Sequence, residues 1–79
     1  MVEIKCRMTK PDQPGFDLTI RFDTPTKAAG DKHFECMLHF VGMQSMAIGG
    51  ATPLGAMSNA MTVAKGFVEG NGRNVVDWM

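Results

Sequence analysis

The side chains of this sequence that could do chemistry are few: two cysteines, two histidines with a glutamate near them, and a glycine-rich run ahead of a helical pattern. Cys6 and Cys36 each fall on the apolar phase of an alternating segment, on strands that would flank a third. Two strand spacings separate them by about 9.6 Å, beyond the roughly 7 Å that a disulfide tolerates between Cα atoms, so free buried thiols are expected. His33, Glu35 and His39 share one phase of a strand. The two imidazoles would stand roughly 20 Å apart along it, too far for one ion, which leaves cross-strand charge partners on a solvated face. Nothing in the sequence supplies a nucleophile for His39 to activate. Gly49-Gly50-Ala51-Thr52-Pro53-Leu54-Gly55 places glycines before a helix start, a geometry able to hold a phosphate. It lacks the Lys-Ser/Thr pair of a P-loop, and Pro53 removes one donor, so a turn and helix cap are expected. The reading is therefore of no catalytic residues, no metal and no cofactor.

The elements that must position these groups are legible from periodicity. Val2, Ile4, Cys6 and Met8 alternate with Glu3, Lys5 and Arg7, which predicts a strand over about 2–8. A turn-rich run, Lys10-Pro11-Asp12-Gln13-Pro14-Gly15, precedes a second strand over 16–22, where Phe16, Leu18, Ile20 and Phe22 alternate with Asp17, Thr19 and Arg21. A break from Asp23-Thr24-Pro25 through Gly30-Asp31-Lys32 leads to a third strand over 33–41, with Phe34, Cys36, Leu38 and Phe40 in the apolar phase. Gly42-Met43 reads as a two-residue turn into a fourth strand over about 44–48. Thr52 is the expected N-cap and Pro53 fits the first helical position. Leu54, Met57, Ala60, Met61, Ala64, Phe67 and Val68 then recur at helical spacing over 53–69, and Gly70-Asn71-Gly72 ends the helix. The tail, 73–79, is either a short added strand or a segment folded back on the core.

Register follows from matching both faces. Pairing Met8 with Phe16 aligns Cys6 with Leu18 and Ile4 with Ile20 inside, and Arg7 with Asp17 and Glu3 with Arg21 outside. Pairing Phe22 with Phe34 sets Ile20 by Cys36 and Leu18 by Leu38 inside, with Arg21 against Glu35, Asp23 against His33 and Asp17 against His39 outside. The expected fold class is α+β: one domain, 1–79, with a four-stranded antiparallel β-meander in ββββα order packed on one C-terminal helix.

Composition bounds the function. With 79 residues only one thin core can form. Eight basic residues balance eight acidic ones without a basic cluster, which argues against direct nucleic-acid binding. No apolar run reaches the length of a membrane span, and the opening residues lack the layout of a signal peptide, so a cytoplasmic location is the expectation. Eight methionines either fill a small core or mark an adaptable binding face. In the register above, Met37, Val41, Met46 and Ile48 gather around His39 on the outer face of the last two strands, with Arg21 and Glu35 beside them. An apolar patch there, with a polar rim of Arg21, Glu35 and His39, is the kind of surface that takes a partner.

Phe34-Glu35-Cys36-Met37-Leu38-His39-Phe40-Val41-Gly42, then Gly49-Gly50 and the helix opening Pro53-Leu54-Gly55-Ala56, resembles a family of small uncharacterised bacterial domains. They share a strand that carries Cys and ends in Gly, followed by a Gly-led helix start. The likeness covers about the last two thirds of the chain, and it departs from the family at Gly55, where a Gln usually precedes the helix's Ala. It implies the fold and adds no activity, since the family's function is unknown. In size the chain is also similar, at the level of class, to small phage or mobile-element inhibitors of host defence complexes such as anti-CRISPR proteins. The functional expectation is thus a non-enzymatic protein-binding module, of the kind that docks on a CRISPR effector complex and blocks its working surface. The alternatives are a homodimer formed through the same face or through the edge of the fourth strand, and a small anion- or ligand-binding domain at the glycine-rich helix start.

Overall fold

A computed structural model describes residues 1–28, 30 and 32–79. Ala29 and Asp31, both within the expected break after the second strand, lie outside the described residues. The order is β1 (Val2–Thr9), β2 (Phe16–Phe22), β3 (Thr26–Lys27), β4 (Phe34–Phe40), β5 (Gln44–Gly50), α1 (Pro53–Glu69), one 3₁₀ turn (Gly70–Gly72) and β6 (Val75–Trp78). All pairings are antiparallel, and across the sheet the strands run β5-β4-β2-β1-β6, with β3 sharing β2's side of β4. The α+β class, the antiparallel sheet and the C-terminal helix agree with the sequence, but among the described residues the sheet has six strands rather than four.

The first hairpin keeps the expected register, Met8↔Phe16 through Ile4↔Ile20, with Arg7 and Asp17 joined at 3.0 Å on the exposed face. The next pairing does not. Phe22 stands opposite Leu38 and Ile20 opposite Phe40, four residues from the predicted partners, so Arg21 faces His39 rather than Glu35. The first half of β4 is already taken by β3, which pairs Thr26 with Glu35 and Lys27 with Phe34. From Phe22 to Thr26 the chain advances four residues while β4 advances three, so β2 and β3 form one strand interrupted by a bulge. Pro25 sits in that bulge, where its missing N–H does least harm to a ladder. Because the shift is even, the inner phase is preserved.

At the next hairpin the difference is one residue, and its effect is larger. Val41, Gly42 and Met43 form a three-residue turn rather than the expected two, closed by Met43 N–H donating to Phe40 O at 2.8 Å, with Gly42 at φ +82°. Gln44 therefore pairs with Phe40, Met46 with Leu38 and Ile48 with Cys36. A one-residue slip exchanges the faces of a strand. Met46 and Ile48, expected outside, point inward and pack on the core.

Thr52 caps α1 as expected, its hydroxyl accepting from Gly55 N–H at 2.9 Å, and Gly70 ends the helix at φ 56° in the left-handed region. The buried stripe is Ala56, Ala60, Ala64 and Val68, whereas Leu54 and Met61, expected on the core face, are exposed. Gly50 explains the choice. A Cβ there would collide with the backbone of Gly55 and Ala56, so the helix start lies directly on the end of β5 and only small side chains fit beneath it. The core beneath is Cys6, Met8, Leu18, Ile20, Phe22, Cys36, Leu38 and Phe40, with the Phe67 ring 4.2 Å from that of Phe40. Both cysteines are buried and free. The tail takes the strand option, as β6 on the free edge of β1.

Replacing Gly50 with Ala is expected to lower unfolding stability by about 1–3 kcal/mol through overpacking against backbone. Gly49→Ala, whose Cβ meets its nearest neighbour at an ordinary 3.7 Å, serves as control in a urea titration. Equal midpoints for both variants would show that this close approach is not required.

Candidate functional site

The revised registers set Glu3, Arg21, His39 and Ser45 in one row across β1, β2, β4 and β5 on the outer face. His39 joins the row to Asp23, just past the end of β2. Its Nε2 lies 2.9 Å from Asp23 Oδ2 and its Nδ1 lies 2.7 Å from Ser45 Oγ. Arg21 Nε stands 3.5 Å from Asp23 Oδ1, and neither atom, both hidden from solvent, has a hydrogen-bond partner. The His39 hydrogen bond, with Arg21 nearby, holds the Asp23 carboxyl below the usual carboxylate range. An ionised carboxylate only accepts, so Nε2–H donates to Asp23, and in the neutral imidazole Nδ1 then accepts from the Ser45 hydroxyl. A hydroxyl, a base and an orienting carboxylate in series are the parts of an activated nucleophile. The sequence offered no such partner for His39, because Ser45 becomes its neighbour only through the three-residue turn. An open cleft of about 500 Å³ adjoins the network, bordered by Arg21, His39, Ser45 and the turn residues Val41 to Met43.

Of the residues expected to bind a partner, the outer face gathers Met37, His39, Arg21 and Glu35, with Val41 exposed at the turn. Met46 and Ile48 are on the other face, and the polar network stands where an apolar patch was expected. The expected pairs of Asp23 with His33 and of Asp17 with His39 do not form, since His39 takes Asp23. Burial, with Asp17 near one thiol and Asp23 near the other, raises both cysteines above their ordinary values. Among the described residues no three His, Cys, Asp or Glu side chains group as a metal site, and no helix is long and apolar enough to cross a membrane. At the helix start the N–H groups of Gly55 and Ala56 are taken by Thr52, whose side chain and carbonyl accept them at 2.9 Å.

The inner face holds a second concavity. α1 lies over β4 and β5, so the part of the sheet built by β1 and β6 is left partly bare. Trp78, paired with Cys6, lies on this inner face yet is 56% exposed. With Ile4, Ile20, Phe22, Met61 and Ala64 it lines an apolar groove of about 160 Å³, rimmed by Lys65 and Glu69. The sequence pattern hides this groove, because Leu54, Met57, Ala60, Met61, Ala64, Phe67 and Val68 read as one wide apolar stripe laid over the sheet. The signal that could have found it was the row of small residues on α1, which pulls the helix to one side.

Searches against family models, curated proteins and solved structures found no match to this chain.

The lowered Asp23 carboxyl makes an acid-side prediction. Its stabilising contribution is complete above the ordinary value of 3.8 and is lost as pH falls through the lower folded value. Between about pH 5 and pH 3, Asp23→Asn is expected to lose less stability than the wild type, read from thermal melts at each pH. Parallel curves would show that Asp23 carries no such linkage.

Proposed function

We propose that this chain is a protein-binding module that uses the apolar groove between α1 and the β1–β6 side of the sheet. The observation that carries this reading is Trp78: a large amphipathic ring on the core face of the sheet, left half uncovered beside Ile4 and Met61. Exposed contiguous apolar surface of this kind, with charged side chains at its margin, suits a partner that inserts apolar anchors. The site moves accordingly from the outer face to the inner one, and the sheet's evenly charged outer face on β1 and β2 serves as solvated surface.

Trp78→Ser and Met61→Asp should fold, since both side chains are about half exposed, and each should weaken binding of a captured partner at least about tenfold, as loss of a central aromatic or apolar anchor does. Val41→Ser, on the other face, should leave affinity unchanged. A partner indifferent to Trp78 and Met61 but lost with Val41 would overturn the assignment. CRISPR effector complexes used as bait test the narrower inhibitor reading, which size and class-level likeness alone support.

The Ser45-His39-Asp23 series favours a second reading, a small acyl-transfer or hydrolytic enzyme with Ser45 as nucleophile. A fluorophosphonate probe should then label Ser45 in the wild type and in neither Ser45→Ala nor His39→Gln. Absence of label on the folded wild type would dispose of it.

A further inference from the structure

All eight acidic and all eight basic residues of the chain, and both histidines, lie outside the stretch from Phe40 to Ala64. That stretch supplies the turn, β5 and the first three turns of α1, so one flank of the domain carries no formal charge. We infer that a second copy of this chain binds there, as a two-fold dimer in which β5 pairs edge to edge with its counterpart around Ala47.

The backbone supports this directly. On β4, Met37 O accepts from Asp23 N–H and Val41 N–H donates to Thr19 O, so the odd-numbered residues there turn their polar groups toward β2. The even-numbered ones, Cys36, Leu38 and Phe40, therefore bond β5 at Ile48, Met46 and Gln44. Ser45, Ala47 and Gly49 are left pointing their N–H and C=O groups away from the sheet. Among the described residues no strand pairs with that edge. Gly49 O confirms the direction, since it accepts from Asn59 Nδ2 at 2.9 Å on the far side. Edge strands that stay single are usually protected by lysine, proline or a bulge, and β5, Gln-Ser-Met-Ala-Ile-Gly-Gly, has none of these.

Symmetry explains why the occupant is a second copy. A two-fold axis brings each residue near its own counterpart, so a charge close to the axis meets a like charge. A neutral flank meets no such penalty. Centring on Ala47 pairs Ala47 with Ala47 and Ser45 with Gly49 of the other copy, which engages all three outward N–H groups at once, with Gly49 O shared with Asn59. On α1, Asn59 faces this edge, and at helical spacing Val63 and Gly66 share its stripe. Val63 is 38% exposed and nothing lies within 4 Å of a Cβ built on Gly66, leaving room for the second helix. The Trp78 groove lies at the opposite end of the sheet, so the dimer would leave two grooves open, facing outward.

Sedimentation equilibrium of the wild type should give twice the 8.6 kDa chain mass. Ala47→Lys keeps β4–β5 pairing, because this side chain is exposed on the outer face, and should weaken association at least about tenfold by placing like charges at the axis. Amide exchange supplies an independent reading: Ser45, Ala47 and Gly49 should become protected as wild-type concentration rises and stay unprotected in the variant. Monomer mass with rapid exchange at those three amides throughout would overturn the inference. So would a dimer that Ala47→Lys leaves intact.

Discussion

The contact on which the rest depends is the seat of α1 on the end of β5. Gly50 has no side chain to hold the chain off, so the backbone of Gly55 and Ala56 rests against it, and the helix continues along the sheet on Ala60, Ala64 and Val68. Small residues bring helix and sheet close, and close packing here fixes position as well as distance. α1 is drawn over β4 and β5, where Phe40, Leu38 and Cys36 meet it. It covers Cys6 and Met8 on β1 but leaves the corner at Ile4 and Trp78 uncovered. In a molecule about 45 Å long and 21 by 18 Å across, one helix does not cover the whole inner face, and Ile4 and Trp78 stay partly exposed. The exposed Trp78 and the half-covered Ile4 follow from that placement, and the apolar groove is its geometric consequence.

The same seat organises charge. With the helix over β5, the uncharged run from Phe40 to Ala64 folds back on itself and concentrates on one flank, while the ionic residues populate β1 to β4, the loops, the C-terminal end of α1 and β6. The sheet is therefore asymmetric twice over. One end offers a neutral strand edge, the other an apolar groove with Lys65 and Glu69 beside it. A small core that can bury only part of its apolar surface leaves such features at predictable places, beyond the reach of its single helix.

Local patterns were legible in the sequence where one segment decided them. The alternation of β1 and β2, the Thr52-Pro53 helix start and the glycine stop all appear where the residues place them, because each depends on propensity and near neighbours alone. What the sequence hid were counts between segments. Gly42-Met43 reads as a two-residue turn, and the addition of Val41 moves Met46 and Ile48 from one face to the other. That single residue also brings Ser45 beside His39. Phe22 and Phe34 look like natural partners, but β3 occupies the place first, and nothing in the apolar alternation distinguishes shifts of two or four. The helix face was misjudged for a different reason: hydrophobicity ranks Leu54 and Met61 above Ala56, whereas the space under the helix ranks them below it.

The bulge at Pro25 connects the two layers. It follows Asp23 directly, and Asp23 is held from three directions: its N–H donates to Met37 O at 3.0 Å, its carbonyl accepts from the Cys36 thiol at 3.3 Å, and its carboxylate accepts from His39. Cys36 belongs to the core face and His39 to the outer one, so a single residue at the end of β2 ties the buried layer to the polar row. The orientation of the His39 ring, and with it the hydrogen bond to Ser45, depends on how these contacts hold Asp23. The Asp23 N–H still makes the ladder bond to Met37 O, and the extra residue falls between Asp23 and Thr26. The network on the outer face is thus anchored at the last rung of β2, and its geometry is fixed by backbone and thiol contacts that reach into the core.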